Sequence, residues 1–228
     1  MSASQEMRHD VYGPIHKALR FALSNLLVQL GQTDFSDEAA MDEALTALGR
    51  QMAISASHLR HEEDHVHGPL EARSGGATDA LEAAHRHHDE AFGQLNDLMS
   101  LMKTVPADAR PALGREIYLR FSQFVAEDFA HMAHEELVTL PLLHSLFTDE
   151  ELMEIEGRIV ASLDPEETMA VMQLMLPAMN RTERVGFLTF ARQAAPPEAF
   201  DAVINFAARP TLKREDWLHL TEGLGLAA

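Results

Sequence analysis

Apolar residues recur through the first two thirds of the chain at the three-and-four spacing of one helix face, in long blocks separated by turn-forming residues. From about Asp10 to Leu30 that face is Ile15, Leu19, Ala22, Leu26 and Leu30, and Gly31 closes it. A second block starts after Ser36 and is predicted to end near Gly68-Pro69. The loop Ser74-Gly75-Gly76 leads to a third, about Ala77 to Lys103, which stops near Pro106, and the fourth spans about Pro111 to Phe147. Strand-like alternation is almost absent. Long helices on short loops favour antiparallel neighbours, so the pattern predicts an all-α protein whose residues 1–148 form an up-down-up-down four-helix bundle.

Past Thr148 the blocks shorten. Thr148-x-x-Glu151 reads as a capping box, Asp164-Pro165 as an N-cap followed by proline at the first helical position, and Pro177, Pro196-Pro197 and Pro210 divide what remains. Residues 149–228 are thus expected to be a C-terminal extension of three to five short helices. Within it Met169, Met172, Met175 and Met179 recur at helical spacing, which reads as core or interface packing, and Trp217 as an anchor for the last helix.

Two of the long helices carry nearly the same word. His58-Leu59-Arg60-His61-Glu62-Glu63 and His131-Met132-Ala133-His134-Glu135-Glu136 both read His-x-x-His-Glu-Glu. Residues four apart lie on one helix face, so His58 with Glu62, and His131 with Glu135, can each aim an imidazole and a carboxylate at one point. The repeat extends upstream to His16 and His88: the halves are offset by 72 residues at this pair and by 73 at both His58/His131 and Glu62/Glu135. His85 and His87 are alternative registers for the third-helix ligand, and the offset selects His88.

The metal-ligand set read from the repeat is therefore His16, His58, Glu62, His88, His131 and Glu135. Four imidazoles and two carboxylates without sulfur suit a borderline first-row metal, iron best, with manganese or zinc also compatible. A Glu from each of two opposed helices can bridge, which describes two metals better than one. Around this set, His85 is placed to supply a fifth nitrogen, and Tyr12, one turn before His16, to reach a metal-bound species. His65 and His9 return to the inward face two turns from His58 and His16. Each of these four has an ordinary alternative in helix capping, hydrogen bonding or solvent exposure. Phe21, Phe92, Phe121, Phe124 and Phe129 are expected in the bundle core.

Composition narrows the classes. A formal net charge of −18 and a pI near 5.0 disfavour nucleic acid and anionic membrane as partners. The absence of cysteine removes disulfides, thiolate sites and iron–sulfur clusters. The polar start, Met1 to Asp10, and the lack of an apolar run near the roughly 20 residues of a membrane span lead us to expect a soluble, cytoplasmic protein.

On His16, His58-x-x-x-Glu62, His88 and His131-x-x-x-Glu135, the stretch from about Asp10 to Phe147 resembles the hemerythrin-like (HHE cation-binding) family, in its branch with four His and two Glu. The resemblance implies a non-haem centre of two iron ions, Fe2+ or Fe3+, with a bridging oxo, hydroxo or water. It also implies a small diatomic or peroxide ligand (O2, NO or peroxide), bound or reduced in redox sensing or stress defence. One departure is Ala84, four before His88, where oxygen-carrying hemerythrins have a second His on the third helix; simple reversible oxygen storage is therefore not the expected role. A different class is a regulatory module in which the metal repositions residues 149–228 for a protein partner or a second copy. A ferritin-like oxidase would need Glu-x-x-His on two helices; Glu62-x-x-His65 and Glu82-x-x-His85 have the spacing, but the fourth helix has no equivalent.

Overall fold

The computed structural model describes residues 8–226, which are helical and contain no strand. No helix among them is long and apolar enough to cross a membrane. The chain separates into two compact units. The first holds the described residues up to Tyr12 together with Ala22–Ile159, and the second holds Gly13–Phe21 and the chain from Val160 onward.

In the first unit the long helices follow the apolar blocks. Helix α1 is Gly13–Gln32, of which Ala22 onward belongs here, and α2 is Glu38–Glu62 with the Asp37 carboxylate accepting from the Ala39 and Ala40 amides. Helix α4, Asp79–Met102, packs against both α2 and α5, Arg110–His134. The loop before α2 fixes one close approach. A Cβ on Gly114 of α5 would lie 2.2 Å from the Phe35 ring, so only glycine lets this ring seat against the helix. On α1 the buried positions in this unit are Leu23, Leu26 and Leu30, while His16, Ala18 and Leu19 are buried on the stretch that belongs to the second unit. Phe21, expected in the core, is instead 42% exposed. Two positions past Leu19 is a rotation of roughly 200°, onto the opposite face.

The first motif helix runs on past Gly68-Pro69, where the sequence suggests an end, whereas the second stops at Phe147 as expected. Helix α2 continues through a π-helical turn, π1 (Glu63–His67), into α3 (Gly68–Arg73); α5 continues through π2 (Glu135–Thr139) into α6 (Leu140–Leu146). Prolines explain both turns. Pro69 and Pro141 have no amide hydrogen, and in an α-helix their rings would press on the carbonyls of His65 and Leu137. Widening one turn to i→i+5 bonding relieves the clash and lets the helix run on. A third case supports this cause: π3 (Val203–Ala208) lies just before Pro210, and the Phe206 carbonyl, four before that proline, accepts instead from Gln173 Nε2 at 2.9 Å.

Beyond α6, the expected capping box is present. Thr148 N–H donates to Glu151 at 2.9 Å, Glu151 N–H to Thr148 Oγ1 at 3.3 Å, and helix α7 (Asp149–Ser162) begins there. A cluster of Tyr12, Val66, Leu70, Leu143, Phe147, Leu152 and Ile155 buries the α3, α6 and α7 segments together.

The second unit is built from α8 (Pro165–Ala178), α9 (Arg181–Ala194), α10 (Pro197–Ala202), π3, α11 (Arg209–Thr211) and α12 (Arg214–Leu224), with the opening stretch of α1. Asp164 caps α8 as expected, accepting from Glu167 N–H at 2.8 Å. The methionine stripe is core: Met175 and Met179 are buried, with Met169 and Met172 packed against the same cluster. Buried Arg184 closes the far end of α8, donating to the Leu176 and Met179 carbonyls at 2.7 Å each, where the last helical carbonyls have no partner of their own.

Candidate metal centre

Four buried side chains in the first unit converge: Glu62, His85, His131 and Glu135 each offer a ligand atom, all within 4.8 Å of one another. Glu62 comes from the last turn of α2, His85 from α4, His131 from α5 and Glu135 from the start of π2. The i,i+4 spacing does what the sequence requires of it, placing His58 Nε2 3.1 Å from Glu62 Oε1 and His131 Nε2 3.5 Å from Glu135 Oε2.

His85 ties the halves together. Its Nε2 is 3.1 Å from His131 Nε2 and 3.5 Å from Glu62 Oε2, while its Nδ1 is 2.9 Å from Glu63 Oε1. The two rings are within hydrogen-bond distance, and two imidazole nitrogens that share one cation at roughly 2.0–2.1 Å also stand about 3 Å apart, so the His85–His131 separation is compatible with a common metal ion. Glu63 Oε1 lies behind the His85 ring, where a carboxylate fixes the tautomer and orientation of an imidazole.

Protonation favours the same use. Burial, reinforced by His85, holds His88 down to about 4. His131 is held down to about 3, again mainly by burial, so both rings are free bases at neutral pH and need not release a proton to take a metal. For His85, burial pushes the other way but Glu62 and Glu63 prevail, and its pKa is raised. Burial and His85 lower that of His67. Burial, then Glu135 and Glu62, hold the Tyr12 phenol well above its ordinary value, which puts this ring within the field of both carboxylates.

The donor chemistry fits a cation. Two glutamates this close in a water-poor interior repel each other unless a positive charge lies between them. The facing groups His58, His85 and His131 are imidazoles, side chains that can serve as metal ligands, rather than permanent cations.

The remaining sequence candidates fall in several places. His58 is half-buried at its glutamate, and His16 is fully buried on the part of α1 that belongs to the second unit. His88 is buried one turn beyond His85; its ring lies edge-on to His131, with centroids 5.2 Å apart, and its Nδ1 is 3.9 Å from Asp128 Oδ1. Phe124 stands edge-on to His88 at 5.5 Å, backed by Phe92 and Phe121, and makes this side of the site dry. Tyr12 is buried, whereas His65 is half-buried and stacks on His61 at 6.3 Å. His9 forms an ion pair with Glu156 at 3.0 Å.

Sequence reasoning missed His67. It is buried, and its ring centroid lies 5.0 Å from that of His85. Counting in α-helical turns from His58 leads to His65; the extra residue in π1 moves the inward position later in the chain. Pro69 was the available signal.

The sequence matches no protein-family model and none of the curated proteins searched.

Proposed function

We propose that this chain is a hemerythrin-like non-haem di-iron protein whose first unit, folded as a four-helix bundle, binds or reduces a small ligand: dioxygen, nitric oxide or peroxide. The observation that carries this reading is the buried convergence of Glu62, His85, His131 and Glu135 from three helices. Glu62 and Glu135 would hold the iron pair through their carboxylates. His58 would serve with Glu62, and His131 and His88 with Glu135; His16 is the counterpart of His88 in the sequence repeat. His85 would supply a further nitrogen to the pair, oriented by Glu63.

When bound, the iron pair supplies open coordination positions and reversible one-electron steps. The protein holds His88 and His131 as free bases, keeps Glu62 and Glu135 close, and excludes water on the Phe92, Phe121 and Phe124 side. Tyr12, with its phenol proton retained by burial and by the two carboxylates, is a hydrogen-bond donor toward the site.

The test is metal content per chain by mass spectrometry on untagged protein. About two irons per chain is expected in the wild type, with loss of the pair in both Glu62→Ala and Glu135→Ala, because a bridging carboxylate serves both ions. Retention of two irons with unchanged spectra in both variants would sink the assignment.

A further inference from the structure

His67 has no place in the ligand set, yet the fold keeps it fully inside. It is 4% exposed, and neither Nδ1 nor Nε2 has a hydrogen-bond partner within the protein. Buried polar side-chain atoms in native proteins are overwhelmingly paired, so an imidazole orphaned at both nitrogens marks a position whose partner comes from outside the chain. If packing alone were needed, a leucine would fill the space without that penalty.

Its location says what kind of partner. The ring sits 5.0 Å from His85, centroid to centroid, with the planes inclined at 31°, so it stands shoulder to shoulder with a member of the four-donor group without belonging to it. The π turn that Pro69 imposes produces this register. The corresponding turn before Pro141 ends in Thr139, which is also buried but lacks a second ring nitrogen and the reach of an imidazole.

We propose that His67 is a positioning residue that hydrogen-bonds a small exogenous ligand, an anion or polar diatomic carrying terminal lone pairs, when that ligand occupies the metal centre. A neutral imidazole has one N–H to donate and one nitrogen to accept, so it can donate to a terminal lone pair of such a ligand. This inference rests on the di-iron reading, and the experiment separates the two.

Iron-loaded full-length protein is titrated with azide, and iron content and urea stability of the metal-free form are measured alongside, for the wild type, His67→Leu and His67→Gln. In His67→Leu, iron content stays at the wild-type value, the azide dissociation constant rises by about 10-fold, the loss expected for a hydrogen bond to a charged ligand, and the metal-free protein resists urea better. His67→Gln, which keeps a donor, recovers most of the azide affinity. Unchanged azide affinity with intact iron overturns the proposal. Loss of iron also overturns it, by making His67 a ligand, and so does a less stable metal-free His67→Leu, by showing the imidazole to be satisfied within the fold. A wild type that takes up no metal instead removes the di-iron reading itself.

Discussion

The two motif helices spell the same word and finish it differently. In the second, π2 begins at Glu135 itself and Pro141 follows six residues after that glutamate; in the first, Glu62 ends α2 before the turn and Pro69 follows seven residues on. One residue of slack changes what each helix presents beyond its carboxylate: His67 in the first, Thr139 in the second, both buried. Near-identical motifs thus make the site symmetric at the glutamates and asymmetric one turn past them. Helices tolerate such divergence because a π turn absorbs a proline without breaking the rod.

The largest test of this asymmetry lies in the residue that follows each glutamate. Glu63 reaches His85 Nδ1 at 2.9 Å, and a carboxylate behind a ligating imidazole fixes its tautomer and orientation. Glu63→Gln is expected to weaken metal binding by about 10- to 100-fold in competition with a chelator. Glu136→Gln, at the same place in the other motif, should change little. Equal losses in the two variants would mean that the carboxylates act through net charge rather than through His85.

A smaller effect is expected from the prolines. Pro69→Ala restores an amide that can donate to the His65 carbonyl, so π1 is free to relax by one residue and carry His67 roughly 100° around the helix. Glu62 precedes the turn and keeps its place, so iron content holds while azide affinity falls about 3-fold, a fraction of the loss on removing a charged hydrogen bond. Pro141→Ala frees a turn that begins at Glu135 itself, so there iron content should fall along with azide affinity. If instead π1 persists in Pro69→Ala, as amide exchange across residues 63–69 would reveal, the proline is not what holds the turn.

What the sequence disclosed and what it concealed divide along the same physical line. The His-x-x-x-Glu pairs, the Thr148–Glu151 capping box and the Asp164 cap are set by residues within four positions of each other, and they stand where the spacing puts them. His85 was harder to weigh, because its approach to the donor group depends on Glu63 from another helix and on the distance between α2, α4 and α5. The angle from His88 along its own helix does not decide it. His67 and Phe21 show two further causes. The first is reached only when a turn departs from 3.6 residues, and the second was assigned by hydrophobicity although its helical angle pointed away from Leu19 and Leu23.

The smallest expected effect concerns how the first motif helix is tied down at its end. Arg73 in α3 grips Glu151 of α7 through Nη2–Oε1 at 2.5 Å and Nη1–Oε2 at 3.0 Å, and its guanidinium lies 3.9 Å from the centroid of the Phe147 ring. The same guanidinium donates from Nη1 to the Leu146 carbonyl at the end of α6, so it ties the ends of both motif helices to the start of α7. Hydrogen bonding from Arg73, then from the Thr148 amide, holds Glu151 down to about 2 from its ordinary 4.5. A lowered carboxylate pKa stabilises the fold fully above pH 4.5, and the contribution fades as the pH falls toward 2. Arg73→Ala should therefore lower the urea midpoint slightly at pH 7, with the gap from wild type closing in acid; the pair is exposed and solvent screens it. Amide protection should drop both in α3 and at the end of α6, since Arg73 bonds the Leu146 carbonyl as well as Glu151. Loss confined to α3 would show that the bond to Leu146 does not hold the second motif helix.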